Sequence, residues 1–195
     1  VSVLDLTDKT QPRLVREFEL SGSLIAARRV GTSIHTVVHD AGPSFPGVSY
    51  FPEGIGFCSG HTAIEAFVAY EMLRAKNADI IKRAPITDFV PSVVERPVGE
   101  HPGGTNLLAG CDGFYRSPRL DGNGFISVVS FDVTNDEAYD ASTIVSRPGA
   151  VYASADALYV AVRQYADGGG WYFGMHDSKS VTTLHKFALG SSPAS

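Results

Sequence analysis

"ISVVSFDVTNDEAYDASTIVSRPGAVYASADALYVAVRQY" (126–165) is the stretch that decides the fold, because "VSVLDLTDKTQPRLVREFELSGSLIAARRVGTSIHTVVHD" (1–40) has the same four features in the same order. A β-rich run closes on threonine, at Thr7 and at Thr134. A polar turn follows, "DKTQP" or "NDEAYD", and then a second run, "RLVREFEL" or "ASTIVS". After Gly22 or Gly149 come two more short runs: "SLIAARRV" and "SIHTVVHD" in the first copy, "AVYASA" and "ALYVAVRQY" in the second. The runs are rich in Val, Ile, Tyr and Phe at near-alternating positions, and Asp, Asn, Gly, Ser and Pro fill the turns between them. That is how antiparallel strands read in sequence.

A four-strand repeat of about 40 residues matches a propeller blade, whose innermost strand is short and rich in small residues. "AVYASA" and "SLIAA" suit that innermost place. "VTTLHKFAL" (181–189) then stands as a third instance of the first run. The expected architecture is therefore mainly β, a partial β-propeller of about two four-stranded antiparallel blades. The chain is expected to start and stop inside the repeat, with partner strands for its first and last runs lying outside it.

Residues 41–123 interrupt the rhythm and are expected to form a helix-containing insertion between two strands of one blade. "AGPSFPGVSYFPEGIGFCSG" is loop by its Gly and Pro content. "HTAIEAFVAYEMLRAKNADIIKRA" is the one convincing helix. Thr62 and Glu65 have the spacing of a capping box, and Ile64, Phe67, Val68 and Met72 form a stripe at helical spacing. The stripe is expected to pack on a sheet edge, and the helix to yield at Pro85. "VERPVGEHPGGTNLLAGCDGFYRSP" (94–118) reads as loop again.

Composition narrows the function classes. With 44% hydrophobic and 19% charged residues in 195, the chain is an ordinary globular one and disorder is not the default. Its 16 Lys and Arg against 21 Asp and Glu give a net charge of -5, and no window interleaves basic and aromatic residues. Nucleic acid is therefore not an expected partner. No apolar run reaches the roughly 18 residues of a transmembrane helix. The first residues lack the basic-then-apolar pattern of a signal peptide, an absence without weight if Val1 falls inside a repeat.

Several motifs invite chemistry. "CSGHTAIEAF" (58–67) looks like the Ser-Gly-His element of acid phosphatases of the vanadium-haloperoxidase type. The Lys and Arg-Pro element and the Ser-Arg with downstream His that such a site requires are missing, so Ser59 to Thr62 read as loop and cap. "LDGNGFI" (120–126) resembles the middle of a calcium loop, but Arg119 and Ser130 occupy the first and twelfth positions that need acids. It reads as a tight turn into a strand. "DVTNDEAYD" (132–140) places Asp132, Asp136, Glu137 and Asp140 on a hairpin, a candidate calcium loop set against the commoner solvated acidic turn. Cys58, His61, His101 and Cys111 have the ligand types for zinc, but no tight turn joins His101 to Cys111. His35, His39, His176 and His185 read as surface or core residues. "ADGGGWYF" (166–173) precedes a strand and has no helix to aim at an anion, so it reads as a hairpin loop. Arg28 and Arg29 end an inner strand, where alternation lets only one face the channel. The two cysteines fit either one disulfide or two buried thiols.

At "VSVLDLTDKTQPRLVREFELSGSLIAARRVGTSIHTVV", "FISVVSFDV" and "PGAVYASADALYVAVRQY" with "TTLHKFAL", the sequence resembles the secreted bacterial and archaeal proteins that carry a predicted C-terminal β-propeller domain. The resemblance spans nearly the whole chain, and "VYASADALYVA" followed by the strand in "LHKF" is its most specific part. It implies a secreted or cell-envelope location and a domain considerably longer than this chain, and it carries over no catalytic residues. The location favours a Cys58–Cys111 disulfide, which would close a loop of roughly 50 residues and contribute about 3 to 4 kcal/mol.

The expected function is an extracellular scaffold binding a macromolecule or a glycan, with no cofactor. Its partners would be the remaining blades of a longer propeller or another protein chain. The rival is a propeller hydrolase of the lactonase or phosphodiesterase type holding a channel calcium ion, for which Asp156 is the one inner-strand acid. A small independent β-sandwich is a third reading.

Overall fold

The computed structural model describes residues 1–56, 60–97, 104–134, 139–165 and 180–189. Two compact units form, Val1–Gly42 with Val90–Ser195, and Pro43–Phe89.

The first unit contains three sheets. In the middle sheet, β3 (Ser23–Val30), β4 (Ser33–Asp40), β8 (Phe125–Asp132) and β9 (Asp140–Ser146) pair antiparallel in that order, the arrangement of one blade. The third sheet repeats its first three strands as β10 (Ala150–Ala153), β11 (Ala157–Tyr165) and β12 (Ser180–Ala188). The first sheet holds the hairpin of β1 (Ser2–Asp5) and β2 (Arg13–Leu20). The strands lie where alternation and turn residues put them, and the mainly β, partial-propeller class holds.

The segment after the helix is a correction. Residues 94–118 read as loop, yet β5 (Ser92–Pro97) pairs antiparallel with β2, and β6 (Asn106–Leu107) follows it. β7 (Phe114–Asp121) pairs parallel with β9. Residues between β4 and β8 thus add strands to the outer edges of two sheets. Except for Pro118, which lies inside β7 where the pairing skips from Arg116 to Asp121, the Pro and Gly that mark the segment as loop fall between these short strands or at their ends, and pairing with β2 and β9 supplies order that local propensity does not.

Side-chain alternation splits the middle sheet between two cores. One face places Phe131, Val129 and Val38 against Phe18 and Val93 of the first sheet. The other places Val37, Ile126 and Val128 against Leu158, Val160 and Phe187 of the third. The first core is aromatic: Phe18 lies 5.1 Å from Phe131 and meets Tyr139 edge to face at 5.7 Å. Burying each large apolar side chain stabilises by about 1.5–3 kcal/mol.

The second unit is built on α1 (Ala63–Arg83). Thr62 accepts from the Glu65 amide and Glu65 accepts from the Thr62 amide, closing the capping box. Asn77 clamps the preceding loop through both its amide groups, Nδ2 donating to the Ser49 carbonyl at 2.7 Å and Oδ1 accepting from the Ser49 amide. Within this unit Ile64, Phe67, Val68 and Met72 are exposed. The face that meets the loop, through Asn77 and Ile80, is a different one. Helical spacing identifies a stripe without naming what covers it.

Candidate functional site

The repeat brings polar side chains to one structural level in each sheet. In the middle sheet, Arg28 lies opposite His35, His35 opposite Ser130, and Ser130 opposite Asp140. His35 is 3% exposed, and its Nδ1 lies 2.8 Å from Ser130 Oγ. Burial pushes the imidazole below its usual value, because a charged ring loses its water there. This row has the parity of Val37 and Val128, so it faces the third sheet.

The third sheet holds the equivalent row. Ile34 pairs with Phe131 as Leu158 pairs with Phe187. One step along from each pair, Tyr152, Tyr159 and Lys186 stand where Arg28, His35 and Ser130 stand. The two tyrosine rings are 6.3 Å apart. In the first sheet, Val3 opposite Arg16 holds the same level. Arg16 donates to Glu95 Oε1 at 2.6 Å, and its guanidinium sits 4.5 Å above the Phe18 ring. Burial, then the Glu95 charge, pushes the neighbouring Tyr139 hydroxyl up.

Two of the three copies share a strand-end turn, and the third has Ala188 in place of its Asp. Asp5 Oδ1 accepts from the amide and hydroxyl of Thr7, and Asp132 Oδ1 accepts from those of Thr134. These bonds hold both carboxyls below the ordinary range, helped at Asp132 by Thr32. The level of each row is thus legible in the repeat, whereas the Arg16–Glu95 pair joins residues far apart in sequence and has no local signal.

Of the candidate calcium loop, Asp136 and Glu137 lie outside the described residues. Asp132 accepts at Oδ1 from the Thr134 amide and hydroxyl and at Oδ2 from the Thr32 hydroxyl at 2.5 Å. Asp140 begins β9. Among the described residues no three metal-ligating side chains cluster. Cys58 and His101 also lie outside the described residues. Cys111 is exposed in a short turn at the entry to β7, and His61 Nε2 lies 2.8 Å from the Gly54 carbonyl. Arg28 and Arg29 are exposed on the inner strand β3, each with one bond to nearby backbone, to Ala27 and Gly31. Asp156 sits in the β10–β11 turn, where its carbonyl accepts from the Leu189 amide. No helix among the described residues is long and apolar enough to cross a membrane.

A family model described as a beta propeller domain matches residues 1–195. No curated protein and no solved structure matches the chain.

Proposed function

The chain belongs to the beta propeller domain family, and from that premise we propose that it is an extracellular or cell-envelope scaffold that binds a macromolecule or a glycan. The observation that carries this reading is the contrast within the repeat. The strand-end Asp-x-Thr turns recur at Asp5 and Asp132, while the row one level away changes from Val3–Arg16 to Arg28–His35–Ser130–Asp140 to Tyr152–Tyr159–Lys186. The exposed members of these rows, Arg28 in the middle sheet and Tyr152 and Lys186 in the third, differ on a shared strand frame, which suits recognition.

The exposed Arg28 and Arg29 of β3 alternate to opposite faces, so one of them meets a given ligand, and its planar guanidinium fork favours a ligand bearing carboxylates or sulfates. Among the described residues β1 and β12 are the last strands of their sheets, and a strand in that place suits the remaining blades of a longer propeller or another protein chain. A secreted location goes with a Cys58–Cys111 disulfide. The test is a screen of acidic and neutral glycans against the wild type and an Arg28→Glu/Arg29→Glu variant. Binding of acidic glycans that the variant loses supports the reading. Indifference to the substitution overturns the assignment of the arginines. Stoichiometric calcium retained through dialysis would favour the hydrolase instead.

A further inference from the structure

The two Asp-x-Thr turns line one cleft between the first and middle sheets. Asp5, Leu6 and Thr7 come from the first sheet, Asp132, Val133 and Thr134 from the middle one, and Arg16, its side chain only 10% exposed, completes the polar lining. The cleft holds about 470 Å³, within the roughly 300–1,000 Å³ of small-molecule sites. Both carboxylates are fixed and both keep acceptor capacity. Asp5 accepts from the Thr7 amide and hydroxyl at Oδ1 and from Arg13 at Oδ2. Asp132 accepts from the Thr134 amide and hydroxyl at Oδ1 and from the Thr32 hydroxyl at Oδ2. An ionised carboxyl has about four acceptor sites, so these bonds leave each Oδ2 room for one more donor.

Charge, by contrast, is largely answered inside the protein. Asp5 lies 3.2 Å from Arg13, and Arg16 lies 2.6 Å from Glu95. Asp132, held by hydroxyl and amide donors, disfavours a carboxylate or sulfate in the cleft by like charge, and Arg16 disfavours an ammonium in the same way. The cleft therefore offers oriented acceptors beside apolar surface, with Leu6 56% and Val133 37% exposed. We propose that it binds a neutral sugar, whose hydroxyls donate to Asp5 and Asp132 while its C–H face covers Leu6 and Val133. Hydrogen bonds to an ionised acceptor are the stronger kind. The Thr7 and Thr134 bonds set those acceptors in place before the ligand arrives, which lowers the cost of binding. The ligand class rests on the glycan reading above, whereas the site is separate from Arg28 and Arg29.

Amide NMR of the full chain titrated with glucose, galactose and mannose tests this, with glucuronate and n-butylammonium as charged controls. At least one hexose is expected to shift the Thr7 and Thr134 amides saturably, and neither control to do so. Asp132→Asn removes the charge and keeps the shape, and should weaken that binding about tenfold. Leu6→Trp, at an exposed position, should block it by filling the cleft. The Arg28→Glu/Arg29→Glu variant should bind the hexose as the wild type does, so failure of the arginine site and failure of this one are read separately. No shift from any hexose, larger shifts from either control, or binding that both cleft variants leave unchanged overturns the proposal.

Discussion

Gly149 faces the carbonyl of Ala161 so closely that any Cβ at this position would lie inside van der Waals contact of that oxygen. Gly22 stands in the same relation to the His39 carbonyl, with φ of 89° in addition. Each glycine immediately precedes the innermost strand, and Ala161 and His39 pair with the first residues of those strands, Ala150 and Ser23. The repeat thus includes a backbone approach that only glycine allows. Gly149→Ala forces the β10–β11 pair apart and is expected to cost about 1–3 kcal/mol, as overpacking does. Gly22→Ala adds strain from its positive φ. Urea unfolding of both variants reads this, and a midpoint equal to wild type would sink it.

His35 makes stability fall in acid. Its folded pKa lies below that of the unfolded chain, so the unfolded state binds the proton first, and stability is complete above the unfolded imidazole value of about 6.5. It is lost progressively as pH falls from there towards the folded value. Thermal unfolding between neutral and mildly acidic pH is expected to show this decline, and His35→Gln should flatten it. An equal decline in the variant would assign the effect to other groups.

Leu158 is fully buried between the middle and third sheets. Leu158→Ala removes most of that side chain and leaves a cavity, for an expected loss of about 2–5 kcal/mol. Phe18→Ala acts on the other core at about 3–5 kcal/mol. Chemical denaturation measures both, and a change under about 1 kcal/mol at either site would contradict the packing.

Thr62 caps α1, so Thr62→Ala should cost the helix about 1 kcal/mol. The helical far-UV signal is expected to melt earlier, while the sheet unit keeps its own transition. Unchanged melting of the helix would remove the capping box as a determinant.

Thiol labelling of the denatured, non-reduced protein tests the Cys58–Cys111 bond. No labelled cysteine is expected before reduction, and two after it. Two labelled thiols before reduction would rule out the bond.

The strands of the repeat and the capped helix were legible in the sequence because their signals are local. Alternation in "SIHTVVHD" or "ALYVAVRQY" needs no partner to be read, and Thr62 and Glu65 are three residues apart. Three things were decided only by the tertiary structure. β5 and β7 are strands because β2 and β9 offer them hydrogen-bonding edges. Arg16 meets Glu95 because β2 pairs with β5. The Ile64, Phe67, Val68 and Met72 stripe is left exposed by its own unit although its periodicity suits burial. Each depends on contacts between residues distant in the chain, and local propensity carries no information about which distant edge or face will arrive.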